Sequence, residues 1–313
     1  MRLVAVTFAG RECYMRILFP LILKYKQYIQ EYRLYVATTI QSDIDYMEAF
    51  ARENSDFVKT VYCKIDGKVV LNDKNKIWDS AYQESMEDDT VYLKLDDDIV
   101  YFDETLFTDF IKYRLDNRGP PLLYPVIINN HFISWMLQER GVFNFNKKSY
   151  IGNTWPLTIM RVRNHILENK DKIMRIGDFI SDPEILCPVG WGNLEFCYHV
   201  HNQFLLDLEK GDIQKYHFDT NVVLKNAEAV SINVCSWIGS DLKQLTQEHG
   251  EIYNDEPWWS VYLPVWSGRH NEIYGKSVVG HYAYYRQREV GLDNTNILAR
   301  YEEACRQPTD SKK

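Results

Sequence analysis

From residue 3 to residue 129 the chain alternates short β-forming runs with helix-length stretches, and this alternation narrows its fold more than any other feature. The runs LVAVTFA (3–9), RLYVATT (33–39), FVKTVYCKI (57–65), TVYLKLDDDIVYF (90–102) and PLLYPVIIN (121–129) are rich in β-branched and aromatic residues. Between them lie four helical stretches: CYMRILFPLILKYKQYIQ (13–30), SDIDYMEAFAREN (42–54), KNKIWDSAYQESM (74–86) and TLFTDFIKYRLDN (105–117). Pro20 marks a kink or boundary in the first, Ser42 and Asp43 offer a cap to the second, and Asp66-Gly67 marks a turn. A helix between two strands is a crossover, and crossovers make neighbouring strands parallel. The expectation is an α/β fold: a doubly wound, mostly parallel sheet with helices on both faces.

Beyond residue 130 the pattern loosens. Helical stretches at 132–141, 158–174 and 195–211 mix with aromatic segments, and no Ser-, Pro- or Gly-rich linker separates this half from the first. One domain is expected over 1–306, its irregular C-terminal half completing a cleft, with a frayed tail at 307–313.

Asp96, Asp97 and Asp98 stand in a row between VYLKL and IVYF. Three adjacent carboxylates ordinarily mark a solvated loop. Here they are flanked by apolar β-formers and fall near the end of a strand in a βαβ series, where open α/β sheets bind ligands. Partly enclosed, they need a cation to stay ionised together. Hard Mn²⁺ or Mg²⁺ suits carboxylate oxygens. On an extended chain Asp96 and Asp98 point one way and Asp97 the other, an Asp-x-Asp clamp.

LDDDIV placed after this half-sheet resembles the Asp-x-Asp motif of GT-A-fold glycosyltransferases. In that family the motif holds a divalent metal that bridges to the diphosphate of a nucleotide-sugar. The resemblance implies a GT-A-like catalytic domain with a nucleotide-binding half (1–130) and an acceptor-side half (131–306). It makes Asp98 the main metal ligand, sets Asp96 on the metal, its water or the ribose, and gives Asp97 a supporting place beside the nucleotide-sugar. It further implies His281, in SVVGH, as a metal or diphosphate ligand. Asp255, then Glu256, in NDEPWW, would be the base that deprotonates an acceptor hydroxyl. Thr7, Phe8 and Arg11 would lie by the base and ribose, and Lys76 would approach the nucleotide or donor sugar. The segments LDDDIV, SINVCSWIG, DEPWW and GHYAYYRQR are also similar to those of uncharacterised fungal, bacterial and algal-virus proteins, which extends the resemblance over most of the chain.

The implied reaction transfers a sugar from a nucleoside diphosphate sugar, UDP-linked by preference, to a hydroxyl of a glycan or glycoconjugate acceptor, with Mn²⁺ or Mg²⁺. Two other readings stay open: a nucleotidyltransferase acting on a sugar phosphate, and a non-catalytic carbohydrate-binding protein of the same fold. TFAGRECYMR is a poor match to the early Gly-rich, basic loop of the former. The strand VAVTFAG lacks an aspartyl-phosphate motif, and no P-loop is present.

Other residues have bland readings beside their functional ones. Arg286 and Arg288 either neutralise phosphate or pair with Glu289 and Asp293. Trp135, Trp155 and Trp191 could line an acceptor groove, though core packing suits each singly. His199 and His201 have strand-like ligand spacing but no third partner, and read as structural.

A formal net charge of -8 argues against nucleic acid as a partner. No apolar stretch reaches transmembrane length, and Arg11, Glu12 and Arg16 interrupt the apolar N-terminus, which reads as strand and helix instead of a leader. The six cysteines form no CxxC pair. These features fit a cytoplasmic enzyme, with peripheral membrane association left open.

Overall fold

The computed structural model of the chain describes residues 1–143, 192–225, 228, 230–250, 252 and 255–306. Its first half follows the alternation closely. Strand β1 (Arg2–Ala9) leads into α1 (Glu12–Lys24), which carries Pro20 inside it and stops short of the expected end, a 3₁₀ turn at Lys26–Tyr28 following. Then come β2 (Glu31–Val36), α2 (Gln41–Glu53) and β3 (Val58–Val61). The run FVKTVYCKI, expected to be one strand to residue 65, ends early. Its last residues form β4 (Lys64–Ile65), which pairs with β5 (Lys68–Val69) across Asp66 and Gly67, both at positive φ.

Helix α3 (Lys74–Gln83) is capped by Asp73 and leads to β6 (Thr90–Leu95). The aspartates do not continue that strand. They form a turn, and the chain resumes as β7 (Ile99–Phe102). A π-helical turn (Leu106–Ile111) runs into α4 (Lys112–Asp116), followed by β8 (Leu123–Ile128) and α5 (His131–Glu139). Later elements include α6 (Leu194–Glu209), β9 (Val222–Val223), β10 (Val234–Ile238), α7 (Gly239–His249), a helical run opening at Asp255–Pro257, β11 (Glu272–His281), a short helix at Tyr285–Glu289 that carries Arg288, and α8 (Ile297–Arg306). The helix expected over 158–174 lies outside the described residues, as does the 307–313 tail.

The strand order is β3-β2-β1-β6-β10-β8-β11-β7, with β9 also on β11. The block β3-β2-β1-β6 is parallel throughout. The rest corrects the expectation of a mostly parallel sheet: β10 runs antiparallel to both β6 and β8, β8 and β11 are parallel, and β7 and β9 lie antiparallel on β11. The sheet is mixed because β10, from far along the chain, enters between β6 and β8 and runs opposite to both.

β6 and β7 are neighbours in sequence yet four places apart in the sheet. Laid flat, that separation would be about 19 Å at strand spacing. The four Cα steps from Leu95 to Ile99 reach at most about 14 Å. The sheet is therefore curled from β6 round to β7, and the aspartate turn joins those two strands directly. Strands β1, β2, β6, β8, β10 and β11 are buried almost along their whole length, whereas the edge strand β3 buries only Val58, the signature of a sheet whose central strands are covered on both faces.

Candidate functional site

The C-terminal ends of β1, β2 and β6 open into a cleft of about 570 Å³, whose walls carry Phe8, Arg11, Thr38, Lys94, the three aspartates, Asp255, Glu256, His281 and Arg288. The aspartate turn is its floor. The Asp96 amide donates to the Asn233 carbonyl (2.9 Å) and the Ile99 amide to the Asp96 carbonyl (3.2 Å), so the three side chains leave a tight bend in different directions.

Asp97 is buried, and its oxygens are taken up by the protein: it accepts from the Gly10 amide (3.1 Å) and Arg11 Nε (3.1 Å), tying the β1–α1 turn to the end of β6. Asp98 is also buried. Its Oδ2 takes Arg11 Nη2 (3.2 Å) and Arg288 Nη1 (3.1 Å). Its Oδ1 has no hydrogen-bond partner among the described residues. Burial raises both carboxyls above the usual range, with Arg11 opposing.

His281 reaches the turn through a register shift at Gly280/His281, where β11 pairs with β7. Such a bulge re-aims one side chain, and here it sets His281 Nε2 3.5 Å from Asp98 Oδ1. Burial lowers His281 to about 3, so the ring is neutral and can act as a ligand. Donor atoms of Asp96, Asp98 and His281 lie within 4.8 Å of one another. The Asn233 side-chain NH2 lies 3.3 Å from His281 Nε2 and can only donate, so Nε2 presents a lone pair to an Asp98 oxygen that no hydrogen bond satisfies, a pairing that a cation between them would relieve. The three residues fit a divalent ion of the Mn²⁺ or Mg²⁺ kind.

Two residues not foreseen complete this corner. Asn233 Nδ2 is 3.2 Å from Asp96 Oδ2 and 3.3 Å from His281 Nε2, while its Oδ1 accepts from Tyr284 Oη (3.0 Å) and Asn130 Nδ2 (3.3 Å). Lys94, buried in β6, contacts Asp96 Oδ1 and donates to the Ile232 carbonyl (2.6 Å). Burial alone would lower this ammonium, but Asp96 and more distant acidic groups outweigh it and push it up to about 12. A charged residue inside an apolar strand was the sequence signal for Lys94. Asn233 had none, because its neighbours come from four separate elements.

Asp255 and Glu256 share the cleft with the aspartates. Asp255 is buried, accepting from Tyr82 Oη (3.2 Å) and the Glu256 amide (2.8 Å). Glu256 is exposed toward the cleft, with Ser231 Oγ at 3.3 Å. The enclosing walls, then Asp255, push its carboxyl up to about 7.

The other expected site residues divide. Phe8 is half-buried on the cleft wall, its ring packed edge-on to Trp78 (6.2 Å) and Tyr82 (6.0 Å). Thr7, one residue earlier on β1, is fully buried and accepts from Tyr32 Oη (2.9 Å), so it faces the core and not the cleft. Lys76 is exposed and pairs with Asp73 (3.2 Å); the cleft-facing residues of that segment are Lys74 and Trp78, four apart on α3. Arg288 joins the site, whereas Arg286 pairs with Glu289 (2.7 Å) and Asp293 accepts from Tyr14 (2.9 Å). His199 and His201 lie on α6, not a strand. His201 is held by Tyr301 Oη (2.9 Å) and the Tyr282 carbonyl (2.7 Å), a structural role. Trp155 and Trp191 lie outside the described residues, as does the side chain of Trp135.

Among the described residues no helix is long and apolar enough to cross a membrane. The chain matches no protein-family model and no curated protein.

Proposed function

We propose that the chain is a GT-A-type glycosyltransferase that moves a sugar from a nucleoside diphosphate sugar, UDP-linked by preference, to a hydroxyl of a glycan or glycoconjugate. The observation that carries this reading is the meeting of Asp96, Asp98 and His281 around the orphaned Asp98 Oδ1, in a cleft shared with an acidic pair. The parallel block β3-β2-β1-β6, with the cleft at its C-terminal edge, supports a nucleotide-binding half.

Asp98 and His281 would hold the ion directly, with Asp96 beside them. A bound Mn²⁺ or Mg²⁺ supplies positive charge that neutralises a departing diphosphate. The protein's own residues do the remainder. Arg11 and Arg288, both in the cleft and partly exposed, offer guanidinium donors to phosphate oxygens. Phe8 and Trp78 give an apolar wall to the donor side. Glu256, not Asp255, is the better base for the acceptor hydroxyl. Asp255 is buried with both oxygens engaged, while Glu256 faces the cleft and its carboxyl is held near neutrality.

Thermal denaturation with UDP, GDP or CMP, each with and without Mn²⁺, tests the reading. Stabilisation that requires nucleotide and metal together is expected. If no nucleotide stabilises the protein in Mn²⁺, the reading fails. Release of pyrophosphate from a nucleoside triphosphate and a sugar phosphate would move it to nucleotidyl transfer.

A further inference from the structure

Three carboxylates and three cations meet at the aspartate turn. Asp97 is held by Arg11, Asp98 by Arg11 and Arg288, and Asp96 by Lys94. The two arginines sit at the cleft surface, with side chains 33% and 24% exposed, and can turn toward an incoming anion. Lys94 cannot. Its side chain is 4% exposed, it stands at the end of β6 in contact with the Asp96 carboxylate, and the Ile232 carbonyl fixes its ammonium. Asp255 and Glu256 are the other acids of the cleft lining, and their carboxyls are raised above the usual range.

Resting on the function proposed above, we propose that Lys94 is a built-in counter-ion of the metal site: it keeps the affinity for a divalent ion alone low and makes retention of the ion depend on an anionic diphosphate. A divalent ion entering beside Asp96 meets a fixed unit charge a few ångströms away. A nucleoside diphosphate brings the negative charge that offsets it. Ion and nucleotide are then held as a pair, and the ion leaves readily once the diphosphate has gone. Lys94 is a positioning residue on this account, acting through Asp96.

Mn²⁺ binding, read by electron paramagnetic resonance or calorimetry with and without UDP, tests this in the native protein, Lys94→Met, Lys94→Gln and Lys94→Arg. In native protein UDP tightens Mn²⁺ binding strongly. Removing the charge in Lys94→Met tightens binding of Mn²⁺ alone by at least about tenfold, from unit-charge repulsion at an effective dielectric of about 20. The enhancement by UDP shrinks to match. Lys94→Gln, which keeps amide donors for Asp96 and Ile232 without the charge, behaves as Lys94→Met and serves if the latter does not fold. Lys94→Arg stays close to native. Structural damage at this corner would weaken the metal, the opposite sign. If the neutral variants bind Mn²⁺ alone no tighter than native while UDP still enhances it, the inference is overturned. If native protein binds no Mn²⁺ even with UDP, the functional reading itself falls and the inference with it.

Discussion

Glu256 and Asp255 are adjacent acids with different surroundings, and the difference is what favours Glu256 as the proposed base. Asp255 is locked by Tyr82 and the backbone, while Glu256 meets the cleft with its carboxyl pushed up from the ordinary 4.5 to about 7. As a base it works only when ionised, so the turnover rate should rise with pH through about 7. Glu256→Gln should abolish that limb and slow turnover by about 10²–10⁴-fold. Stability should move the other way. A carboxyl raised on folding stabilises fully below its unfolded value of 4.5, and that contribution is lost as pH rises through about 7. Thermal midpoints should therefore fall from mildly acid to mildly alkaline pH, and Glu256→Gln should flatten the decline. An unchanged slope in that variant would place the titration elsewhere.

At this scale the residues that could hold a metal were legible, Asp96 and Asp98 as carboxylates that a strand pattern alone does not need and His281 through the family resemblance, and the three meet in the structure. Thr7 misled because one step along a strand reverses the face, and its neighbour Phe8 is the cleft residue.

The elements show why the aspartates are tolerated. The strand expected over 90–102 breaks at them, and the bend separates carboxyls that an extended chain would keep closer to a single axis. Asp97 spends its charge on the β1–α1 turn, through Gly10 and Arg11. Asp97→Ala should therefore destabilise the fold by about 3 kcal/mol in urea unfolding, the low end for a broken buried pair since Arg11 retains Asp98. A change well under 1 kcal/mol would show that the tie is not structural. The junction of α7 with the chain before β6 is tighter still: a Cβ on Gly239 would stand 2.2 Å from the Glu87 carbonyl oxygen. Gly239→Ala should cost about 1–3 kcal/mol or more by the same measurement. Neither contact was visible in sequence, where local patterns set element type but not which elements touch.

For the whole molecule, the first four parallel strands were legible from alternation, and the insertion of β10 was not. β10 pairs with β6 across more than a hundred residues of chain, and no local period records such a partner. The curl that follows brings β7 and β11 back to the aspartate turn, which is how His281 arrives at Asp98. The apolar side chains of the sheet pack as one continuous core, and Asp96, Asp98 and His281 line the cleft. A chelator added to ligand-free protein should accordingly leave its thermal midpoint unchanged, while abolishing the stabilisation given by Mn²⁺ with UDP. A chelator-induced fall in the ligand-free protein would mean that the ion is structural.

Metal-dependent cleavage of a nucleotide-sugar, compared between native protein and Asp98→Asn, tests the central claim most directly. Asn keeps the volume and the hydrogen-bonding reach of Asp98 but removes the charge that faces His281. The native protein should cleave or transfer from a UDP-sugar only in Mn²⁺ or Mg²⁺, and Asp98→Asn should lose nearly all of that activity while remaining folded. Full activity in Asp98→Asn, or native activity indifferent to a chelator, would contradict the account.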